Sequence, residues 1–178
     1  MNLPYKAHLE LMARYNQVMN ARLVAVVEPL PDEELTAARG AFFGSLLGTM
    51  NHLVVADLMW LNRVRPQPYG AVLAPLDDLP RPTELNALLY PTLDAYRSVR
   101  VQLDGLLVDF IANLSDDNVA SPLSYRNAKG LPFTKTLGLV LSHLFNHQTH
   151  HRGQITTLLS QMGIDIGVTD LAPLVPDL

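Results

Sequence analysis

A chain of 178 residues that is 48% apolar and 17% charged carries enough apolar material for a sizeable core and does not have the composition of a disordered segment. Its net charge of −4, with no run of Lys or Arg, excludes a nucleic-acid footprint and a polybasic membrane patch. It has no cysteine, which excludes disulfides, cysteine nucleophiles and thiolate metal sites.

In chain order, Tyr5, Leu9, Met12, Asn16, Met19, Leu23, Val26 and Leu30 recur at gaps of three and four, the seam of a packed helix. Pro4 suits its first turn and Pro29 ends it. Asn16 is the polar residue in that seam, so it needs a buried partner or the stripe is wet there. "PLPDEEL" (29–35) reads as a loop with one helical turn. A second long helix begins at Gly44–Ser45 and runs through "LLGTMNHLVVADLMWLNRV" until Pro66, Pro68 and Gly70 stop it. Residues 66–82 hold five prolines and read as a long connection with little regular structure. A third helix is expected from Pro82 to Leu114, kinked or divided at Pro91. "SPLSYRNAKGLPF" reads as a hairpin turning at Asn127–Gly130. Thr134 is the expected cap of a fourth helix that reaches Met162 and stops at Gly163, with the tail as an extended arm. These elements predict an all-α fold: a four-helix bundle with one long connection and a small hairpin before the last helix, in one domain over 1–178. No uninterrupted apolar run reaches the roughly 18 residues of a membrane span, and no signal-peptide core is visible near the N-terminus, so a soluble cytoplasmic protein is expected.

Four of the six histidines lie within "HLFNHQTHH" (143–151). With His143 set to zero and 100° per residue, the apolar stripe of Leu137, Val140, Leu144, Ile155, Leu158 and Met162 falls at roughly 60–120°, His147 near about 40° and His151 near about 80°. His143 and His150 fall at its edge. His147 and His151 therefore form an i, i+4 pair directed into the bundle. Such a pair can place two ring nitrogens on one metal ion; it can equally be two core histidines hydrogen-bonded to neighbouring helices. No Glu lies between them, so the metalloprotease version of the motif is absent. A third ligand would come from His52, from His8, or from a carboxylate such as Asp57. The wheel of the second helix does not bury His52, which shares a small and polar stripe with Ser45, Thr49 and Ala56. His8, in a charged first turn, reads as a surface residue.

"FFGSLLGTMNHLVVADLMWLNR" together with "HLFNHQTHHRGQITTLLSQMG" resembles the DinB-like metal-binding helical bundle superfamily. The matching positions are Gly44, Ser45, His52, Asp57 and Trp60, then Asn146, His147, His151, Arg152, Gly153 and Gln154. The resemblance covers nearly the whole chain and implies three histidine ligands, His52, His147 and His151, on one divalent metal. It carries fold and metal well and reaction poorly, since some relatives are transferases or isomerases acting with small thiols and most have no assigned reaction.

Three neutral imidazoles would leave the metal its 2+ charge and at least one open position for water or a substrate thiol. All-nitrogen ligation suits Zn, Ni, Cu or Fe. Asn146, Gln148 and Gln154 are candidates to orient the rings, and Asp57 could accept a proton from a ligand imidazole or be an ordinary ion-pair carboxylate. Trp60 and Arg152 read as packing and an ion pair. The expectation is a metal-dependent thiol transferase or isomerase acting on a small-molecule substrate with a low-molecular-weight thiol cosubstrate. The alternative is a non-catalytic metal-binding module in stress response or interaction. The apolar character of the second helix on nearly all sides also suggests a homodimer.

Overall fold

The structure is a computed structural model and describes residues 4–127 and 129–177. Six α-helices and one hairpin follow in the order α1 (Tyr5–Val27), α2 (Asp32–Thr36), α3 (Leu46–Val64), α4 (Leu93–Asn113), α5 (Asp116–Ala120), β1 (Pro122–Arg126), β2 (Pro132–Thr136) and α6 (Leu137–Gln161). The four long helices pack in the cyclic order α1, α4, α3, α6 around one core. Among the described residues no helix is long and apolar enough to cross a membrane.

Local chemistry sets most boundaries. Ser45 accepts a hydrogen bond from Gly48 N at 3.0 Å and so starts α3. Gly44, at φ 79, makes the turn that delivers the chain to that cap. The third long helix is shorter than the sequence predicts. It does not kink at Pro91 but begins after it, with Thr92 Oγ1 accepting from Ala95 N at 3.3 Å. Proline disfavours helical conformation at Tyr90 and cannot donate to a preceding turn, so residues 82–91 stay irregular. The 66–82 connection is more ordered than expected, with 3-10 turns over Ala71–Asp78 that bury Leu73 and Leu76.

The hairpin pairs Pro122 with Thr136 and Arg126 with Pro132. Asn127 Oδ1 accepts from Lys129 N at 2.9 Å and Leu131 N at 3.0 Å, closing the turn expected at Asn127–Gly130, of which residue 128 lies outside the described residues. Thr134 is not the cap of α6. It sits in β2 with its hydroxyl 2.9 Å from Ser124 Oγ, and α6 starts at Leu137. The tail runs extended over α1, where the Tyr15 hydroxyl donates to Thr169 O at 2.7 Å, and then makes a 3-10 turn at Ala172–Leu174.

The all-round apolar character of α3 has an explanation inside one chain. Every residue from Thr49 to Leu58 is buried, with α4 and α6 on one side and the long connection on the other. Asn51 fastens that connection: its Nδ2 donates to Tyr90 O at 2.9 Å and its Oδ1 accepts from Tyr90 N at 2.8 Å. Over Thr49–Leu58 the apolar pattern of α3 is therefore used within one chain.

Beneath the apolar layers lies a charged network joining all four long helices. Arg100 of α4 is 1% exposed, with Nη1 2.7 Å from Asp57 Oδ2 of α3 and Nη2 2.9 Å from Asp104 Oδ1. These are close ion pairs; the aligned hydrogen bond is from Nε to Asp104 Oδ2 at 3.1 Å. Asp104 also accepts from Asn16 Nδ2 at 3.2 Å and Asn20 Nδ2 at 2.9 Å on α1. Arg152 of α6 donates to the Asn16 side-chain carbonyl and to that of Asn20 at 3.2 Å. Asn16, the polar residue in the first seam, thus has its buried partners. Burial pushes the Asp104 carboxyl up despite Arg100, while the two carboxylates outweigh burial at Arg100 and hold its guanidinium charged.

Removing Arg100 would strand Asp57 and Asp104 in the core. We expect Arg100→Ala to lose about 3–5 kcal/mol of stability in urea titration at neutral pH; a loss below about 1 kcal/mol, the scale of a surface ion pair, would contradict the account.

Candidate metal centre

The site forms where α3 and α6 run antiparallel. His52 sits midway along α3 and is 3% exposed, His151 on α6 is 8% exposed, and His147, one turn before His151, is half-buried. The structure brings all three together: His147 Nε2 lies 3.1 Å from His52 Nε2 and 3.1 Å from His151 Nε2, and the three ligand atoms fall within 4.8 Å of one another. Imidazoles on a tetrahedral ion at about 2.0–2.1 Å would hold their nitrogens roughly 3.3 Å apart, so the spacing matches one small cation.

Hydrogen bonds on the far side of two rings decide where the protons are. His52 Nδ1 is 2.8 Å from the carbonyl oxygen of Leu85, which can only accept, so Nδ1 carries the proton and Nε2 presents a lone pair. His151 Nδ1 is 2.8 Å from Gln154 Oε1, which fixes the same tautomer with the amide so placed. His147 Nε2 can donate to one of its two neighbours and no more. At least one N···N contact therefore has no proton between its nitrogens, an arrangement that a cation relieves.

Electrostatics agree. Burial and the neighbouring His151, His52, His143 and His150 push His147 down to about 3. Burial also lowers His52 and His151, against the pull of their Nδ1 hydrogen bonds. All three are thus neutral near pH 7, the form a metal binds.

Other sequence candidates fall elsewhere. His8 is exposed on α1, His150 is exposed on α6, and His143 is exposed with its ring 6.1 Å from that of His147. Asp57 neither joins the triad nor accepts from a ligand imidazole. It points to the opposite side of α3, paired with Arg100 and accepting from Gln148 Nε2 at 2.6 Å. Gln148 does not orient a histidine: it ties α6 to α3 through Asp57 and through Leu53 O at 3.2 Å. Asn146 is exposed. Among the described residues Arg152 makes no ion pair. It donates to amide oxygens and lies 5.5 Å from the Tyr15 ring centroid. Gln154 does orient His151, as expected.

Sequence reasoning missed two members of the site. Phe43 stacks on His52 with ring centroids 3.8 Å apart and meets His151 edge-on at 5.5 Å. Gly48 permits that placement, since a Cβ there would collide with the Phe43 carbonyl. Leu85 acts through its backbone, which no side-chain pattern reveals. The "FFGS" run before α3 was a signal available for Phe43.

The lowered histidine pKa values have a testable consequence without metal. Between about pH 6.5 and about 3 the unfolded chain binds a proton at His147 that the folded chain refuses, so stability falls as pH falls through that window. With chelator present, we expect His147→Ala to lose stability less steeply than the parent between about pH 7 and about 5. Equal slopes in urea titrations across that range would contradict the assignment.

A model of the DinB family matches residues 2–174. The chain is also 25% identical over 156 residues to Protein DinB of Bacillus subtilis (strain 168), covering 88% of this chain and 87% of that protein. The convergent histidines, the bundle that carries them and the match over nearly its whole length agree: the chain belongs to the DinB family.

Proposed function

We propose that this protein binds one divalent metal ion, of the Zn, Ni or Fe type, through His52, His147 and His151, and uses it as a thiol S-transferase or isomerase on small molecules. The observation that carries the reading is the close approach of three Nε2 atoms with too few protons to pair them, which a cation would resolve. A cation held by three neutral imidazoles supplies Lewis acidity at an open position, lowering the pKa of a bound thiol or water.

The chain's own residues do the rest. Leu85 O and Gln154 hold the tautomers of His52 and His151, and Phe43 shields one face of the site from water. In transfer, the cosubstrate thiol gives its proton to solvent, its sulfur forms a bond to an electrophilic carbon, and the leaving group departs with the electron pair of the broken bond. Sulfur must arrive with the cosubstrate, because the chain has no cysteine. A low-molecular-weight thiol is a cytoplasmic cosubstrate, and we place the protein there. One observation favours a second reading, a non-catalytic metal-tied module: among the described residues no carboxylate forms part of the histidine cluster to serve as base.

Calorimetry on untagged protein tests the metal. We expect one zinc per chain in the parent and no tight binding in His151→Ala, which should keep its helical circular dichroism because the apolar core does not depend on the ion. At about 100 times its Kd, zinc should stabilise the parent by about 2.7 kcal/mol and the variant not at all. Equal zinc binding by both would overturn the assignment.

Gln154→Ala separates orientation from ligation. It removes the acceptor on His151 Nδ1 and should weaken zinc by roughly 10- to 100-fold without abolishing it. An unchanged Kd would mean that Gln154 does not hold the ring. Conjugation of a small thiol to an electrophile, lost in His151→Ala with the fold intact, would support the enzyme over the scaffold.

A further inference from the structure

An open cleft leads away from the histidine cluster between α3 and α6. Its inner part, about 240 Å³, is lined by Ala56, Met59, Trp60 and Arg63 of α3, the Leu85 segment, and His143 and His147 of α6. Its outer part, about 720 Å³, shares Trp60 and His143 and extends under the hairpin, past Leu139, Tyr125 and Lys135. The two parts meet at Trp60, whose ring lies 5.4 Å from that of His143 and 5.2 Å from that of Tyr125. His147, His143 and Leu139 are spaced by four residues on α6, so each step along the cleft is about 6 Å.

The lining has two characters. Trp60, Tyr125 and Leu139 make an apolar, largely aromatic wall, and Leu139 is 63% exposed although it lines a cavity on a packed helix. Among the described residues the charges are all of one sign: Arg63 and Lys135 line the cleft and no Asp or Glu does, in a chain whose net charge is −4. Arg63 stacks over Trp60 with its guanidinium carbon 4.4 Å from the ring centroid, and 5.2 Å from that of Tyr125. Among the described residues neither Arg63 nor Lys135 has a carboxylate within 4.0 Å, although Arg39, Arg65, Arg81, Arg97 and Arg100 all do. A part-buried guanidinium held on an aromatic face, with no carboxylate beside it among the described residues, is a recognition group for a planar anion.

We propose that this cleft is the substrate site of the centre and that it takes small organic carboxylates with a flat aromatic body, the ring against Trp60, Tyr125 and Leu139 and the carboxylate on Arg63, with Lys135 adding attraction at the rim. The proposal deepens the metal-enzyme reading and rests on it for the word substrate, but the binding itself needs no metal. Trp60 is the single tryptophan of the chain, so its fluorescence reports on the cleft alone.

The test is titration of metal-free and zinc-loaded protein with 4-nitrobenzoate and with its neutral counterpart, 4-nitrobenzyl alcohol, following Trp60 quenching corrected for absorption. We expect saturable quenching by the carboxylate in both preparations, tighter than the alcohol by about tenfold or more, and Arg63→Gln removing that preference while leaving the alcohol unchanged. Lys135→Gln, on the exposed strand β2, should weaken the carboxylate by about two- to threefold and provides the readout if Arg63→Gln unfolds. No saturable quenching, equal affinity for acid and alcohol, or a preference untouched by both variants would overturn the proposal. Carboxylate binding seen only with zinc and insensitive to Arg63→Gln would also overturn it, because the anion would then sit on the metal. Zinc calorimetry on the same preparations judges the metal reading separately, so each can fail alone.

Discussion

One side chain, Gln148, sets the register on which the histidine site depends. It lies on α6 between His147 and His151, fully buried, and its Nε2 reaches across to Asp57 Oδ1 and Leu53 O of α3. A buried amide that lost those acceptors would be left unpaired, so sliding α6 along α3 by one turn is strongly disfavoured. Asp57 is in turn held by Arg100, and Arg100 by Asp104, which accepts from Asn16 and Asn20. The polar network thus carries positional information from all four long helices to the contact where His52 meets His147 and His151. The apolar core supplies the cohesion, and the network selects one alignment within it.

The site and the network sit back to back on the same two helices and differ in one respect. In the network each carboxylate faces a guanidinium or an amide donor. In the site, neutral nitrogens face one another with too few protons between them. Burial falls in the first case on groups that face an opposite charge or an amide partner and in the second on groups that conflict without a cation. That contrast separates a structural cluster from a binding one more sharply than the presence of histidines does.

Much of this was legible in the sequence, for local reasons. Helical periodicity alone directs His147 and His151 inward, because both lie on one regular helix whose stripe the apolar residues define. His52 was beyond periodicity: its burial comes from the irregular 66–92 segment folding over α3, a contact between residues far apart in the chain. The resemblance supplied it instead. The same non-local cover buries the far side of α3 over Thr49–Leu58. Asn16 called for a buried partner or a wet stripe, but no local pattern marks Arg100 and Asp104 as that partner's source, since each becomes acceptable inside only through the other. A helix from Pro82, kinked or divided at Pro91, is expected from the sequence; the Thr92 cap shows that the helix starts only there. The roles of Phe43 and Leu85 depend on loop geometry that no period encodes.

The most direct measurement of the central claim is X-ray absorption at the zinc edge on untagged, zinc-loaded protein. The account predicts one zinc per chain with about three imidazole nitrogens at about 2.0–2.1 Å, recognisable by the outer-shell scattering of their rings, and one further light ligand. A shell of oxygens without imidazole scattering, or protein that retains no zinc, would contradict it.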